Sequence, residues 1–363
     1  MNTPFHHARQ TISHQTWRLA RLGEPDECAR IEAFLAGHRD ATPFHRPVWL
    51  AAVADGTGNG AMALLAEHGG EIAAYMSLSL VHSPLFGRVL ASSGFAVGGG
   101  VLVAPGVDAE GIFAAAEELA QRLSCPTIEL RGGALPQARA DWQIKDQSHC
   151  GFIAPLAADD EAQLLSIPRK QRAEVRKGLE QELEVTVGTA EADRAAHHSV
   201  YAESVRNLGT PVFPRSLFDA VLDRFGEDAD ILTVSHVGQP IASVLSLYHR
   251  GAVMPYWGGG VWGARRLRAN DRMYYELMLH ARRRGCSQFD FGRSKTGSGA
   301  YDFKRNWGFE PEPLSYASWT APGSQARDAD PNSAKHALQI AIWRRLPLAL
   351  ANRLGPLIAR GLG

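Results

Sequence analysis

An internal repeat constrains the fold of this chain more than any other feature of its sequence. The segment GEIAAYMSLSL at 70–80 reappears as GQPIASVLSLY at 238–248. Each copy precedes a run of three glycines, at 98–100 and at 258–260, so the two runs lie 160 residues apart. In both halves the glycine run is followed by apolar residues at helical spacing, then by a cysteine and a short apolar segment. Either the resemblance is chance among short apolar strands, or the chain contains a duplicated unit; the shared order of landmarks favours duplication.

Each copy predicts the same order of elements: strand, turn, strand, glycine-rich break, helix and strand. We therefore expect a mixed α/β (α+β) fold of two domains, at 15–155 and 156–320, each with a mixed sheet flanked by helices. A polar linker at 321–332 and a basic tail at 333–363 follow. The strand serines are expected to face outward. The helical core positions are Ile112, Phe113, Ala116, Leu119, Ala120 and Leu123 in the first copy, and Met273, Leu277 and Ala281 in the second.

Composition narrows the classes of function. The 363 residues suit two domains, and 45% apolar with 21% charged residues is typical of globular proteins. The 38 basic and 38 acidic residues cancel, so overall charge gives no affinity for nucleic acid. Four scattered cysteines and the absence of an apolar leader or spanning segment predict a cytoplasmic protein without a metal site or disulfides. We expect the histidine pairs to lie on the surface: His6, His7, His197 and His198.

The glycine run of the second copy leads into a candidate anion site. Gly258 and Gly259 end a predicted strand, and Asn270 is the expected N-cap of the helix that follows, with Asp271 in its first turn. Free N–H groups at a helix N-terminus beside a glycine-rich strand end bind phosphate groups, and Arg268 lies just upstream. The alternative is a capped helix with a solvated basic loop.

A second cluster follows the last strand of the repeat. Asp290 and Arg293 belong to the segment DFGRSK, and Tyr301, Phe303 and Lys304 follow a pair of glycines. A strand end followed by glycines and an aromatic-basic segment is one way in which α/β domains build the floor of a site. Alternatively, the aromatic residues belong to the core and the lysine pairs with a surface acid.

A basic helix is predicted between residues 168 and 181. Arg169, Arg172 and Arg176 share one of its faces by their spacing. That face either contacts the phosphates of an anionic ligand or of RNA, or is a solvated surface.

The second cluster resembles the closing signature of the FemAB-type acyltransferases, which are tandem members of the GNAT superfamily. The matching residues are DFGRS at 290–294, Phe303 with Lys304, and WGF at 307–309. Three further segments resemble the branch associated with exosortase and PEP-CTERM systems: IPRKQRAEVRK at 167–177, YWGGG at 256–260 and AND at 269–271. The resemblance covers about residues 20–320, and WRRLPL at 343–348 adds to it.

This resemblance implies two GNAT-like domains and an N-acyltransferase. The donor would be acyl-CoA or aminoacyl-tRNA as co-substrate, with no permanently bound cofactor, and the acceptor an amine of a cell-envelope or exopolysaccharide precursor. In the family, the lysine at the position of Lys304 stabilises developing negative charge, and Asp290 or Asp271 is a candidate proton acceptor. The chain shows no coiled-coil segment like the helical arm of tRNA-dependent members, which argues against tRNA. The Phe-Lys pair occurs only in the second half, so we expect the N-terminal domain to bind or shape the acceptor.

Several residues are candidates for substrate contacts. Arg206, Arg215 and Arg293 are expected to hold an anionic group of acceptor or donor. The aromatic residues expected to line the substrate site are Tyr256, Tyr301 and Phe303. The rival hypothesis is a degenerate GNAT pair that binds a glycan or peptide precursor only as a scaffold.

The tail has two interpretations of its own. Residues 333–363 contain five Lys/Arg and no acid. They either rest on anionic lipid, as a basic amphipathic helix does, or pack on the body or on a partner. Pro347 and Pro356 divide the tail into short helices. Its apolar stripe consists of Leu338, Ile342, Leu346 and Leu350.

Overall fold

The computed structural model describes residues 16–137, 139–325 and 340–363. The strands of the first half are β1 (Thr16–Leu19), β2 (Gly60–His68), β3 (Glu71–Ser83), β4 (Gly87–Ser92), β5 (Leu102–Val103), β6 (Thr127–Arg131), β7 (Trp142–Gly151) and β8 (Ile153–Pro155). Those of the second half are β9 (Leu183–Gly188), β10 (Ala229–His236), β11 (Gln239–His249), β12 (Ala252–Gly260), β13 (Gln288–Asp290), β14 (Ser294–Lys295) and β15 (Glu312–Thr320).

Helices flank both sheets. They are α1 (Pro25–Gly37), α2 (Pro47–Thr57), α3 (Glu110–Arg122), α4 (Asp160–Ser166), α5 (Arg169–Leu179), α6 (Glu191–Leu208), α7 (Arg215–Phe225), α8 (Ala269–Arg283), α9 (Gly299–Asn306) and α10 (Leu348–Ala359). Residues 340–343 form a further helical turn. Three 3₁₀ turns lie at Pro43–His45, Gly226–Asp228 and Trp262–Arg265.

The strands form two mixed sheets. The first has the order β1-β2-β3-β4-β6-β15-β7-β14 with β5 beside β3, and the second has the order β8-β13-β12-β11-β10-β9. In each sheet one pair is parallel, β4 with β6 and β12 with β13, and the other pairs are antiparallel. The predicted mixed α/β class is confirmed.

The two copies of the repeat occupy equivalent places in the two sheets. The segment 70–80 lies largely in β3 and 238–248 in β11, and each is followed by a parallel strand pair bridged by a helix, α3 or α8. The helix predictions hold, because the core positions listed above are buried, apart from the partly buried Leu123. The basic helix also lies close to its prediction, at Arg169–Leu179.

The expectation that the strand serines face outward is wrong. Ser77, Ser79, Ser243 and Ser246 are all buried, because helices or loops cover both faces of these central strands. Their hydroxyls bond locally: Ser77 Oγ lies 2.6 Å from Ser93 Oγ, and Ser243 Oγ lies 3.0 Å from Thr233 Oγ1.

The histidine prediction also fails where the structure tests it. His197 is fully buried where α6 packs on β11, with Nδ1 at 3.1 Å from Ser243 Oγ, and burial lowers its pKa to about 3. His198, beside it, is partly buried. His6 and His7 lie outside the described residues.

Strands are exchanged between the two halves of the chain. β15, from the end of the second half, lies between β6 and β7 of the first sheet, and it pairs antiparallel with both. Conversely β8 leaves the first sheet and pairs with β13 in the second. The domain boundary predicted at 155/156 therefore separates the halves in sequence, although strands cross it in both directions; the boundaries themselves stay a prediction.

An apolar core joins the two halves. Trp49 of α2, Phe218 of α7 and Trp257 of β12 belong to one buried cluster, and the Trp49 and Trp257 rings stack at 6.0 Å. The helices α2 and α7 approach so closely at Gly56 that a Cβ there would lie 2.4 Å from the Cα of Leu217. The halves therefore pack as one body.

The tail packs on that body as far as it is described. Gly355 of α10 lies against Val212, and Gly361 lies against Ser83 of the first sheet. Pro347 is the N-cap of α10, whereas Pro356 lies inside the helix and does not end it. Residues 326–332 of the linker and Leu338 of the apolar stripe lie outside the described residues. Within the described ranges, no helix has the length and apolarity needed to cross a bilayer.

The exchanged strand predicts a test by substitution. Trp319 of β15 is 1% exposed and lies in the core of the first sheet, opposite Ile128 and Trp142. Trp319→Ala should lower the free energy of unfolding by about 3–5 kcal/mol in chemical denaturation and speed hydrogen exchange in β6 and β7. Trp262→Ala, at a residue 69% exposed, should change it by no more than about 0.5 kcal/mol. Equal effects of the two substitutions would contradict the placement of β15.

Candidate active site

The candidate site lies where two parallel strands diverge. β12 and β13 pair at two positions, Ala252 with Gln288 and Val253 with Phe289. Beyond Val253, β12 runs on to Gly260 whereas β13 ends at Asp290. The backbone groups of β12 on this side consequently face an opening instead of a neighbouring strand.

A β-bulge shapes one wall of the opening. Leu245 pairs with Trp257 and Ser246 with Pro255, so Tyr256 is the extra residue. Its hydroxyl donates to the carbonyl oxygen of Phe95, and burial raises its pKa. The bulge thus ties the wall of the second sheet to the first half of the chain.

The opening holds a cavity of about 210 Å³. Its walls come from β12, from the segment after β13, from α8 and α9, and from one residue of the first half. They are Pro255, Tyr256 and Gly258; Phe291, Gly292 and Arg293; Tyr274, Ala300, Phe303 and Lys304; and Val97. The structure therefore brings together five of the predicted site residues: Tyr256, Gly258, Arg293, Phe303 and Lys304.

Lys304 is held in this wall by backbone carbonyls. It is 9% exposed, and its Nζ donates to the carbonyl oxygens of Arg293 at 2.8 Å and Gly292 at 3.3 Å. The ammonium group also lies 5.4 Å from the ring centre of Phe152. Burial lowers its pKa to about 8, although Asp290 opposes that change. An ammonium group has three N–H donors, so these contacts leave one for a ligand.

Asp290 lies at the end of β13, outside the cavity lining, and its charge interacts with that of Lys304. Its Oδ1 accepts a hydrogen bond from the Gly292 N–H at 2.8 Å. Burial raises its pKa to about 6, against the opposing effects of that hydrogen bond and of Lys304. A carboxylate with a pKa near neutrality can take up a proton during a reaction.

The turn between Asp290 and Arg293 depends on glycine. Gly292 has a φ of +66°, a left-handed conformation that side chains with a Cβ rarely adopt. The turn directs Arg293 toward the first sheet, where its Nη1 donates to the Tyr316 hydroxyl at 3.1 Å. Arg293 is thereby placed on the cavity wall next to Lys304.

The predicted anion site at α8 is built differently from the expectation. The helix begins at Ala269 after Arg268, which has a φ of +55°, so Asn270 lies inside the first turn and is not the N-cap. The Oδ1 of Asn270 is buried without a hydrogen-bond partner among the described residues, and a Cβ on Gly260 would lie 2.4 Å from it. Asp271 accepts from Gln171 Nε2 at 2.5 Å, and Arg268 pairs with Glu174 at 2.5 Å.

The glycines at the end of β12 allow helices to approach the strand. A Cβ on Gly259 would lie 2.2 Å from Ser204 Oγ of α6. Gly259 therefore accounts for packing, whereas Gly258 lines the cavity. The role predicted for both in binding a co-substrate stays a prediction.

Three predicted substrate-binding residues lie outside the cavity lining. Arg206 donates to the carbonyl oxygen of Arg344 at 3.3 Å, and Arg215 pairs with Glu191 at 2.5 Å. The ring of Tyr301 packs edge-on against Phe152 at 5.5 Å. The structure thus gives each of them a contact within the fold.

The basic face of α5 also lies outside the cavity lining. Arg169 and Arg176 are exposed, and Arg172 donates to the carbonyl oxygen of Leu165 at 3.3 Å. This arrangement favours the solvated-surface alternative.

Sequence reasoning missed six residues of the cavity wall: Val97, Pro255, Tyr274, Phe291, Gly292 and Ala300. Phe291 lies within the quoted DFGRS motif but was not selected. Tyr274 adjoins Met273 of the α8 core stripe, so nothing in its spacing separates it from core residues. Val97 comes from the other half of the chain, and Ala300 is a small residue at the start of α9; neither gives a signal in sequence.

The first half has the same divergence of strands, but an arginine closes it. β4 and β6 pair in parallel only at Leu90 with Ile128 and Ala91 with Glu129. Arg131 stands six residues after Cys125, as Gly292 stands six after Cys286. Its buried guanidinium donates to the carbonyl oxygens of Ala96 at 2.9 Å and Gly363 at 2.8 Å. The Arg131 guanidinium therefore bridges the opening between the strands in the first half, whereas Gly292 leaves the corresponding opening in the second half.

A larger cavity of about 320 Å³ is a weaker candidate. Its wall includes Arg250, whose guanidinium donates to the carbonyl oxygens of Leu35, Ala36 and His38. Arg284, also in the wall, pairs with Asp230 at 3.1 Å. Because these cations already have partners in the fold, they are less available to a ligand than those of the smaller cavity.

Comparisons with known proteins agree with this architecture. Residues 168–305 match the acetyltransferase (GNAT) domain. The fold is similar to that of FemX, with a TM-score of 0.62 and 15% identity over 80% of this chain and 95% of FemX. It is also similar to a tandem GNAT protein from the clavulanic acid biosynthesis pathway, with a TM-score of 0.57 and 12% identity over 86% of this chain and all of that one.

A third similar structure is the C-terminal domain of a putative lysylphosphatidylglycerol synthetase from Agrobacterium fabrum. Its TM-score is 0.54 and its identity 14%, over 81% of this chain and 91% of that domain. A search of the curated proteins found no match. The chain thus folds as two GNAT-like units that exchange strands, and residues 168–305 of its second half match the acetyltransferase (GNAT) domain.

Proposed function

We propose that this protein is an N-acyltransferase of the FemAB type that moves an acyl or aminoacyl group from an activated donor to an amine. The observation that carries the proposal is the ammonium group of Lys304, buried in the wall of the cavity between the diverging strands. This cavity lies within the residues that match the GNAT domain. Lys304 also belongs to the Phe-Lys pair of the FemAB resemblance.

Acyl-CoA is the proposed donor. The aromatic wall formed by Phe291 and Phe303 suits an apolar acyl chain, and about 210 Å³ is room for a small one. The phosphates of the donor would bind near the first turn of α8, whose free N–H groups attract anions. Of the residues predicted for the donor, Gly258 lines the cavity, and Arg268 and Asn270 lie at the start of α8.

The reaction needs little chemistry from the protein. The nitrogen of the amine attacks the thioester carbonyl carbon, the new C–N bond forms, and the C–S bond then breaks as the thiolate leaves. Between these events the carbonyl oxygen bears a negative charge. The free N–H of the Lys304 ammonium stabilises that charge inside a partly dehydrated cavity, where a hydrogen bond to a cation is strong.

The attacking nitrogen must lose a proton. Asp290 is the proposed acceptor, because burial has raised its pKa to about 6 while leaving the ionised form predominant at pH 7. Asp271 was the other candidate, but its carboxylate is engaged with Gln171. We therefore assign it to helix placement.

The acceptor is proposed to be a cell-envelope or exopolysaccharide precursor with an anionic group near its amine. Arg293 adjoins Lys304 on the cavity wall and is steered there by Tyr316 of the exchanged strand. A guanidinium in this place would hold a carboxylate or phosphate of the acceptor. The choice of precursor rests on the resemblance to the exosortase and PEP-CTERM branch, and it implies a cytoplasmic enzyme.

Donor binding separates this proposal from a scaffold. Isothermal titration with acetyl-CoA should show saturable binding if the cavity of the second half holds the donor, as proposed. A degenerate pair that only scaffolds a glycan or peptide precursor would show none. A tRNA-dependent transferase would instead lose its activity when a lysate is treated with RNase.

Removing the Lys304 ammonium should slow transfer. We expect Lys304→Met to lower kcat by about 100- to 1,000-fold, the usual effect of losing one oxyanion donor, while KM for acetyl-CoA changes little. The assay is thiol release from acetyl-CoA with a phosphorylated amino sugar such as glucosamine 6-phosphate as acceptor, because it has both an amine and an anionic group.

The matched control is Lys170→Met, at an exposed lysine of α5. It should retain the activity of the unsubstituted protein. Circular dichroism and the Tm show whether Lys304→Met still folds, since the lysine also holds the turn at Gly292 and Arg293. Full activity in a folded Lys304→Met would contradict the assignment.

The two pKa values predict a bell-shaped pH profile. Activity should fall below about pH 6 as Asp290 is protonated and above about pH 8 as Lys304 loses its charge. Because the groups adjoin, the apparent values belong to the pair. Asp290→Asn should lower kcat and remove the acid limb. A profile that stays flat between pH 5 and 9 at saturating substrate would count against both roles.

A further inference from the structure

The helix α10 carries its large apolar side chains on the outside. The residues that face the body are small: Ala351, Gly355 and Ala359 are buried at positions i, i+4 and i+8. Leucines lie on the opposite side, where a helix of a soluble protein normally carries polar residues. This amphipathicity is the reverse of the usual arrangement.

The outward leucines form one stripe. Leu350, Leu354 and Leu357 follow one another at i, i+4 and i+7, and they are 42%, 38% and 60% exposed. Ile342, in the preceding helical turn, is 54% exposed. An exposed leucine stripe loses the favourable free energy of burying apolar surface. The stripe therefore indicates a surface that an apolar partner covers.

The charges beside the stripe are all of one sign. Arg353 of α10 and Arg360, the C-cap of that helix, are exposed seven residues apart, and Arg345 is exposed just before the helix. The whole segment 333–363 has five Lys/Arg and no Asp or Glu. An apolar stripe flanked by arginines without acids complements an apolar layer beneath negatively charged groups.

The body holds α10 so that this face stays outward. Gly355 lies so close to Val212 that a Cβ would be 3.0 Å from its backbone nitrogen. The Asn59 amide donates to the carbonyl oxygen of Arg360 at 3.0 Å, and Arg131 donates to that of Gly363. The inner face is therefore packed and bonded, and the helix need not leave the body to present its leucines.

We propose that α10 is a docking surface for an anionic lipid bilayer, into whose interface Leu350, Leu354 and Leu357 insert while Arg353 and Arg360 contact lipid phosphates. The protein would then be peripheral on the membrane, with its body in the aqueous phase. This goes beyond the proposed function, because docking requires only the face of α10 and no reaction.

Charge complementarity distinguishes lipid from a second copy of the chain. In a symmetric dimer through α10, the same arginines of both copies would face each other across an interface without acids from the segment 333–363. Phosphate groups at a bilayer surface neutralise these cations. Apolar leucine side chains are also suited to burial at the boundary between lipid headgroups and acyl chains.

The test is sedimentation of the full chain with vesicles. Vesicles of phosphatidylcholine mixed with phosphatidylglycerol should bind the protein, and vesicles of phosphatidylcholine alone should bind it much more weakly. The triple variant Leu350→Ser, Leu354→Ser and Leu357→Ser should bind at least about tenfold more weakly. Arg353→Gln and Arg360→Gln should each weaken binding by about fivefold, and only to the anionic vesicles.

The matched control replaces two exposed leucines elsewhere, Leu19→Ser in β1 and Leu165→Ser in α4. This variant should bind like the unsubstituted chain. Circular dichroism should show the triple variant folded, since the packed face of α10 is unchanged. No binding to anionic vesicles, equal binding to neutral ones, or a dimer that dissociates in the triple variant would each overturn the proposal. None of these outcomes depends on transferase activity.

Discussion

The architecture depends on the crossing of the chain between the two sheets. One backbone hydrogen bond lies at this crossing. The Phe291 N–H donates to the Phe152 carbonyl oxygen at 2.8 Å, at the crossing point where β7 gives way to β8 and where the chain leaves β13. Here each half passes a segment to the other sheet. The Phe152 ring lies within 5.4 Å of Lys304 Nζ, so the crossing also positions the candidate site. Neither half can complete its sheet alone, and the cavity exists because both are present.

Duplication of one unit explains why each half contains a pair of parallel strands that diverge. Arg131 explains why only the opening of the second half is accessible. Arg131, the last residue of β6, and Gly292, two residues after β13, each stand six residues after the cysteine of their half. The arginine bridges its own opening by donating to Ala96, whereas the glycine leaves a turn whose carbonyls accept from Lys304. An arginine side chain cannot be removed from such a place cheaply once it is buried and bonded. The first half therefore supports the second half and contributes part of its cavity wall.

The sequence predicted the fold well because its signals were local and repeated. The strands at 70–80 and 238–248, the helices after the glycine runs and the DFGRS segment all lie where periodicity placed them. Predictions from the sequence were wrong where contacts between residues far apart in the chain determine the structure. Nothing local shows that β15 inserts into the first sheet, that α6 buries His197 against β11, or that Val97 joins the cavity. The start of α8 lies two residues earlier than predicted because Arg268 adopts a left-handed conformation, which sequence rules assign to glycine or asparagine.

The pKa values of Asp290 and Lys304 show that the two groups do not form a stabilising ion pair. In such a pair the carboxyl pKa falls and the ammonium pKa rises. Here both move toward neutrality, to about 6 and about 8, because burial outweighs mutual attraction. Asp290 is therefore penalised above about pH 6 and Lys304 below about pH 8, so burial of both charged forms lowers the stability of the fold in the window between. A fold under selection for stability alone would replace such a pair; a site that must present a proton acceptor beside a cation retains it.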